Sequence, residues 1–109
     1  APAVVGVPNH AVVDEFCRTL FLMRPDIALS TSRTIFQSDM REVAARVKCP
    51  THLVQTSHDL AVPMFVAEWL NRNIDGSTVD VIEAEGHLPH MTAPTEVLRV
   101  IEQRLDLVA

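Results

Sequence analysis

The chain has 109 residues, of which 48% are hydrophobic, and its formal net charge is −5. This length suits one small domain or part of a larger one, and this composition excludes a chain that is disordered throughout. Acidic and basic residues are interspersed, so we expect neither a nucleic-acid surface nor a patch for anionic membranes. No apolar run reaches the roughly 18 residues that a membrane-spanning helix needs.

The cysteines and the first residues of the chain bear on its redox environment and on its completeness. Cys17 and Cys49 are too few for a disulfide framework and lack a CxxC partner, so we expect free thiols in a reducing compartment. Residues 1–8 have the prolines and glycine of a loop, and without a basic region they do not form a signal peptide. Because the chain begins with Ala1 rather than Met, we expect it to be part of a longer protein.

Helical patterns fill the first half of the chain. Asn9 is a candidate N-cap for a first helix with an apolar stripe at i, i+3 and i+4 spacing. Pro25 ends this helix region and suits the first turn of a second helix, so we expect an αα-hairpin. Ser38 or Asp39 is expected to cap a third helix that reaches Val47.

The second half alternates strands with helices. Residues 51–56 and 78–83 are short runs rich in strand formers, and Pro63 and Pro94 each open a helix after one of them. This order predicts two parallel strands, joined by a helix, in one sheet. Two strands are too few for a stable sheet, so its other strands should come from elsewhere. Residues 84–92 are expected to form a loop.

A carboxylate and an imidazole follow the two predicted strands. Asp59 comes just after the first strand, and His87 comes just after the second, behind Gly86, which allows a sharp turn. The carboxyl ends of neighbouring parallel strands bring such loops together. A carboxylate on one ring nitrogen fixes the imidazole tautomer and leaves the other nitrogen free to accept a proton from a serine. The order acid, then histidine, late in the chain, is that of α/β-hydrolases.

The serine of such a triad is not evident. The G-x-S-x-G elbow that carries it occurs nowhere in the chain, so either the elbow lies upstream or the triad interpretation is wrong. Asp59 could instead form a turn or cap the helix that Pro63 opens, and His87 could be a solvated loop residue. The serines that are present lack the elbow setting: Ser30, Ser32, Ser38, Ser57 and Ser77.

Metal binding is a second alternative, because the chain has a set of possible ligands: His52, His58, Asp59, His87 and His90. Zinc-binding helices place two histidines at i and i+4 on one face, whereas Pro89 interrupts the HLPH run. His52 should also lie along a strand, away from the loops. We therefore expect no metal and no other cofactor.

The apolar residues of the first two helices also have two interpretations. They are either core residues, or they roof an apolar pocket above the strand ends. The residues concerned are Phe16, Leu20, Phe21, Ile27, Leu29, Ile35 and Phe36.

Five runs of sequence together carry a family resemblance. They are EFCRTLF at 15–21, MRPDIALS at 23–30, TIFQSDMR at 34–41, DLAVP at 59–63 and EGHLPH at 85–90. These runs resemble the plant karrikin and strigolactone receptors, which are α/β-hydrolases related to a bacterial stress-response hydrolase. The likeness extends from about Asn9 to Leu105. The IFQSDM run and the DLAVP loop are closer to the karrikin-receptor branch.

The resemblance implies an α/β fold, as the C-terminal portion of an α/β-hydrolase. Residues 1–38 would be the C-terminal half of a helical lid, and residues 39–109 the C-terminal part of the core, with its last two parallel strands and their helices. Asp59 and His87 would be the catalytic acid and base, while the serine and the oxyanion-hole amides would belong to the N-terminal remainder. The positions that match the ligand pocket are Phe16, Ala28, Ser32, Ile35, Phe36, Leu60 and Ala61.

The function that the resemblance implies is that of a receptor for butenolide signals, karrikin-like or strigolactone-like, with slow serine-hydrolase activity in the full-length protein. Its partners would be a small butenolide ligand, an F-box protein and a repressor protein, in the cytoplasm and nucleus. Two alternatives stay open: an ordinary carboxylesterase of the same fold without a signalling role, and a non-catalytic helical interaction fragment.

Overall fold

The computed structural model describes residues 10–105, so the predicted loop at 1–8 and the predicted cap at Asn9 lie outside the described residues. Its helices and strands, in chain order, are α1 (His10–Phe21), α2 (Pro25–Gln37), α3 (Arg41–Ala44), β1 (His52–His58), α4 (Met64–Asn73), β2 (Thr78–Glu85), α5 (Pro89–Thr92) and α6 (Pro94–Arg104).

The two strands form a parallel sheet, as predicted. His52 of β1 lies opposite Thr78 of β2, and Thr56 lies opposite Ile82. Helix α4 connects the strands and packs against both of them, while α5 and α6 pack against β2. The carboxyl ends of β1 and β2 therefore lie side by side at one edge of the sheet, where the loops that follow them can meet.

The apolar core of the described chain is small. It is found where α4 and α6 pack against the strands, and its members are Ala67, Ile74, Ile82 and Val100. Burying an isoleucine side chain contributes about 1.5–3 kcal/mol, so this core alone offsets little of the conformational entropy lost on folding. Both cysteines are free thiols, as expected, with Cys17 half-buried and Cys49 exposed.

Helices α1 and α2 form where their apolar stripes predict them, with Pro25 in the first turn of α2. The short connection that was predicted between them is present, at residues 22–24, but the two helices make few contacts with each other, and their packing as an αα-hairpin stays a prediction. The large apolar side chains of α2 are exposed, and Phe36 is 88% exposed, whereas Val13 and Phe16 of α1 are half-buried. A stripe predicts the face that a helix buries but not the surface that it meets.

Several boundaries differ from the prediction. Helix α3 begins one residue later than its predicted cap, with Met40 at the N-cap position, and the Asp39 carboxylate just before it accepts a hydrogen bond from the Arg41 N–H at 3.1 Å. It ends before Val47 because the chain tightens there, and the N–H groups of Arg46 and Val47 bond to carbonyls three residues back. Both strands run past their predicted ends, to His58 and Glu85, and the short helix α5 lies within the predicted loop.

None of the helices between residues 10 and 105 is long and apolar enough to cross a bilayer. The division into a lid at 1–38 and a core at 39–109 stays a prediction.

Candidate active site

Asp59 follows β1 directly, and its carboxylate is held on both oxygens. Oδ1 accepts hydrogen bonds from the backbone N–H groups of Ala61 at 2.8 Å and Val62 at 3.0 Å. Oδ2 lies 2.8 Å from Nδ1 of His87. Asp59 thus forms a turn and contacts the imidazole at the same time. It does not cap α4, which begins at Met64 without a side-chain cap.

The ionisation of Asp59 follows from these contacts, since its side chain is only 6% exposed. Burial by itself raises the pKa of the carboxyl, but hydrogen bonds from His87, Val62 and Ala61 outweigh it, and the pKa lies below the ordinary value of 3.8. The carboxylate is therefore ionised at neutral pH. An ionised carboxylate accepts the Nδ1–H of a neutral imidazole, which keeps that proton on Nδ1 and leaves Nε2 as the acceptor.

Gly86 sets the direction in which the chain leaves β2 towards His87. Its φ of 95° lies in the left-handed region, which favours glycine. Its N–H donates to the carbonyl of His58 at 2.8 Å, and its carbonyl accepts from the Thr56 hydroxyl at 2.7 Å. The His87 side chain is 42% exposed, and its Nε2 makes no hydrogen bond within residues 10–105. One ring nitrogen is thus anchored and the other is available, as a general base requires.

Ser57, His58 and Glu83 form a second serine–histidine–acid group, at the surface. The Ser57 hydroxyl lies 3.0 Å from Nδ1 of His58, and a Glu83 carboxylate oxygen lies 3.8 Å from the same nitrogen. A catalytic triad places the serine and the acid on opposite ring nitrogens. Because both groups share Nδ1 here, and both His58 and Glu83 are largely exposed, this group does not have the geometry of a triad.

A cavity of about 90 Å³ lies beside the Asp59–His87 pair. Pockets for small organic ligands have volumes of roughly 300–1,000 Å³, so this cavity is one wall of such a pocket at most. Its lining residues are Val54, Gln55, Thr56, Asp59, Val62, His87 and Pro89. A larger apolar groove, of about 450 Å³, lies between residues 40–44 and α4 and contains neither member of the pair.

The structure does not bring the predicted ligand-pocket residues together. Those on α1 and α2 are half-buried or exposed, and these helices make few contacts with the sheet: Phe16, Ala28, Ser32, Ile35 and Phe36. Leu60 and Ala61 are exposed and lie next to Asp59 in the chain, with the Ala61 N–H bonded to its carboxylate. The pocket assignment therefore stays a prediction.

The possible metal ligands are dispersed. His52 lies at the start of β1, where its Nδ1 is 2.6 Å from the Thr78 hydroxyl, at the opposite end of the strand from Asp59. Within the described part of the chain, no group of three or more His, Cys, Asp or Glu side chains is arranged to hold a metal ion.

Three polar residues near the end of β1, whose role was not predicted, hydrogen-bond to the loops that follow the strands or to β2 itself. Gln55 donates from Nε2 to the carbonyl of Val62 at 3.2 Å, in the Asp59 loop. Thr56 donates to Gly86, and the Ser57 hydroxyl contacts the backbone of Ala84. The signal in the sequence is the run QTS at 55–57, which is polar and directly follows the apolar residues Leu53 and Val54 of the same strand.

The chain is similar in sequence to known plant receptors and esterases. No protein-family model matches the chain. The chain is 52% identical, over 97% of its length, to Karrikin insensitive 2 receptor IA from Petunia hybrida. It is 46% identical, over 96% of its length, to Strigolactone esterase D14 from Arabidopsis thaliana. The chain spans only 39% and 40% of the lengths of these two relatives.

A solved structure, that of a hydrolase from Oleispira antarctica, matches 94% of the chain and 39% of its own length, with a TM-score of 0.84 and 26% identity. This match, together with the parallel strands and their helices, confirms the predicted fold class, the C-terminal portion of an α/β-hydrolase. The identity is higher to the petunia karrikin receptor than to the strigolactone esterase, in line with the resemblance to the karrikin branch. Over nearly its whole length the chain is thus similar to the plant karrikin insensitive 2 and strigolactone D14 receptors.

Proposed function

We propose that the protein is an α/β-hydrolase-type receptor for butenolide signals, and that it hydrolyses its ligand slowly through a Ser–His–Asp triad. Asp59 is the acid and His87 is the base. The observation that supports this most strongly is the 2.8 Å contact between Oδ2 of Asp59 and Nδ1 of His87. Two loops at the carboxyl ends of adjacent parallel strands make this contact, which is where open α/β sheets carry their sites.

The nucleophile comes from elsewhere in this proposal. Because the chain spans about 40% of the length of its relatives, the serine and the oxyanion-hole amides are assigned to the N-terminal remainder of the same hydrolase. The free Nε2 of His87 is the atom that the serine hydroxyl would approach. Asp59, already ionised, holds His87 in the tautomer that leaves this nitrogen unprotonated.

The chemistry is acyl transfer to the serine and then to water. The serine oxygen attacks the lactone carbonyl carbon of the butenolide while His87 Nε2 takes the hydroxyl proton. The tetrahedral intermediate collapses by breaking the bond between the carbonyl carbon and the ring oxygen, and His87 returns the proton to that oxygen. A water molecule, deprotonated by His87, then attacks the acyl-serine, and the serine leaves as its hydroxyl.

The ligand pocket is proposed to lie between the catalytic pair and the lid helices. Phe16, on α1, and the α2 residues Ala28, Ser32, Ile35 and Phe36 would form its roof. Leu60 and Ala61 would lie beside the acid. The support is that apolar side chains on these helices are exposed, as for Phe36, and covering each would contribute about 1.5–3 kcal/mol.

Signalling is the further part of the proposal. Ligand binding would lead the protein to recruit an F-box protein and a repressor, in the cytoplasm and nucleus. Its support is the similarity of the chain to relatives that are named as receptors. An ordinary carboxylesterase of the same fold is the second candidate, favoured by the relatives named as esterases. A ligand should lower the melting temperature of the receptor and recruit the F-box protein, whereas a plain esterase should show neither effect.

The triad is tested by a matched pair of histidine variants in the full-length protein. His87→Ala should lower the rate of hydrolysis of a fluorogenic butenolide by at least about 100-fold, because the general base is lost. His90→Ala removes an exposed imidazole three positions further along the chain, in α5, and should leave the rate unchanged. Undiminished hydrolysis by His87→Ala would refute the assignment.

A further inference from the structure

Strand β2 contains a bulge immediately before His87. Thr56 lies opposite Ile82, and His58 lies opposite Glu85, so β2 advances three residues while β1 advances two. A bulge bends its strand and changes the direction of the side chains that follow, and bulges are frequent next to active sites. The extra residue also removes backbone groups of β2 from the regular ladder, and these groups need other partners.

Side chains of β1 supply the partners. The Ser57 hydroxyl accepts a hydrogen bond from the Ala84 N–H at 3.2 Å and lies 3.3 Å from the Ala84 carbonyl oxygen. It also lies 3.0 Å from Nδ1 of His58. Its neighbour Thr56, only 2% exposed, donates to the carbonyl of Gly86 at 2.7 Å. Two consecutive hydroxyls thus hold the bulge and the turn after it.

The bond from Thr56 acts directly on the placement of His87. The Gly86 carbonyl and the His87 N–H belong to one planar peptide unit, which also includes both Cα atoms. Fixing the carbonyl oxygen of this unit therefore fixes the plane from which the His87 side chain projects. The other groups that define the position of the imidazole are Gly86 N–H, bonded to His58, and Asp59, bonded to the ring itself.

We propose that Thr56 and Ser57 are positioning residues for the base of the triad. Their hydroxyls hold the β2 bulge and the Gly86–His87 peptide plane, and thereby keep His87 Nδ1 at hydrogen-bond distance from Asp59. This inference rests on the proposed function, in which His87 is the general base. Both hydroxyls are engaged with the backbone of Gly86 and Ala84, so their proposed role is to position His87 and not to contact the substrate.

The first test is Thr56→Val in the full-length protein, which keeps the shape of the side chain and removes the donor. We expect kcat for a fluorogenic butenolide to fall about ten- to a hundred-fold, because a small displacement of a catalytic group has effects of that size. KM should change little, because Thr56 offers almost no surface to a ligand. The Nδ1–H proton resonance of His87 should shift or broaden in the NMR spectrum.

Two further variants separate positioning from stability. Thr56→Ser restores the hydroxyl and should restore both kcat and the His87 resonance. Thr78→Val removes a hydroxyl that bonds His52 Nδ1 at the start of the same two strands, far along β1 from the acid, and should change neither. If Thr56→Val does not fold, Ser57→Ala, at a half-buried position, is the variant that decides.

The outcomes are distinct. Wild-type kcat and an unmoved His87 resonance in folded Thr56→Val, or in Ser57→Ala where that variant decides, would overturn the proposal. So would a Thr56→Ser variant as impaired as Thr56→Val. If the wild-type protein hydrolyses no ester, the proposed function fails, and the His87 resonance in the same variants still decides whether these hydroxyls position the imidazole.

Discussion

At the scale of single residues, the site depends on one carboxylate that makes three hydrogen bonds. Asp59 accepts from two backbone N–H groups of its own loop and from His87 of the other loop. The backbone bonds hold the carboxylate in place independently of any substrate, so the imidazole is oriented by a group that has its own anchors. Such preorganisation reduces the reorganisation needed in the transition state.

Replacing this carboxylate by an amide tests its role. In Asp59→Asn, the amide can donate to Nδ1, which favours the tautomer with the proton on Nε2, where it blocks proton transfer from the serine. We expect kcat for ester hydrolysis by the full-length protein to fall roughly 10³–10⁴-fold with little change in KM.

The matched control for this variant is Asp75→Asn. Asp75 is an exposed aspartate whose contact is Lys48, 3.8 Å away at the surface, and such pairs contribute about 0–1 kcal/mol. Its kcat should equal that of the wild type. An Asp59→Asn variant as active as Asp75→Asn would show that the carboxylate does not orient the base.

The residues of the pair could be predicted from the sequence, whereas those that support them could not. Asp59 and His87 were identifiable because each is a titratable residue that directly follows a strand. Thr56 is the last residue of the predicted first strand and Ser57 is the first residue after it, and at the end of a strand threonine indicates only a strand former. Their role depends on the bulge in β2, which shifts Ala84 and Gly86 to within reach of their hydroxyls.

At the scale of the elements, the site is made by two strand ends and the turns that follow them. Gly86 directly follows the last residue of β2 with a φ of 95°, and its N–H continues the pairing with His58 beyond the strand. A residue with a Cβ in this conformation costs roughly 1–2 kcal/mol. The turn that presents His87 therefore depends on glycine.

Two glycine variants separate the effect of this turn on activity from its effect on stability. Gly86→Ala should lower the free energy of unfolding by about 1–2 kcal/mol and also reduce kcat, because relief of the strain moves His87. Gly76→Ala, at a φ of 71° in an exposed turn where an added Cβ meets nothing within 4 Å, should lower stability alone. Denaturant unfolding and ester hydrolysis measure the two effects. A Gly86→Ala variant with wild-type kcat would show that this turn does not place the base.

The start of each core helix was predictable, because Pro63 directly precedes α4 and Pro94 is the first residue of α6. The short helix α5 and the last residues of both strands were not predicted. At these residues, hydrogen bonds between segments that are distant in sequence, such as the bond from Gly86 to His58, determine the backbone conformation more than the local sequence pattern does. A bulge interrupts the two-residue alternation of a strand, so the sequence does not show where a bulged strand ends.

At the scale of the whole molecule, the described chain leaves apolar surface uncovered. Phe21, Leu22, Ile35 and Phe36 on or beside the first two helices are mostly exposed, and the sheet has two strands. Sheets of this size are marginal alone. The family resemblance of the sequence predicts that the remainder of a hydrolase accompanies these elements. The fold match agrees with this prediction, because the chain covers 39% of the matched hydrolase. The stripes of α1 and α2 could not reveal their partner surface, since periodicity describes one side of a contact only.

The most direct test of the account is a crystal structure of the full-length protein, in which the distance from His87 Nε2 to the nearest serine Oγ is measured. The account predicts a serine on a strand-to-helix elbow, with its Oγ about 2.6–3.2 Å from Nε2 and the Asp59–His87 contact intact. A structure in which His87 Nε2 faces solvent or another side chain, with no serine within reach of it, would contradict the central claim.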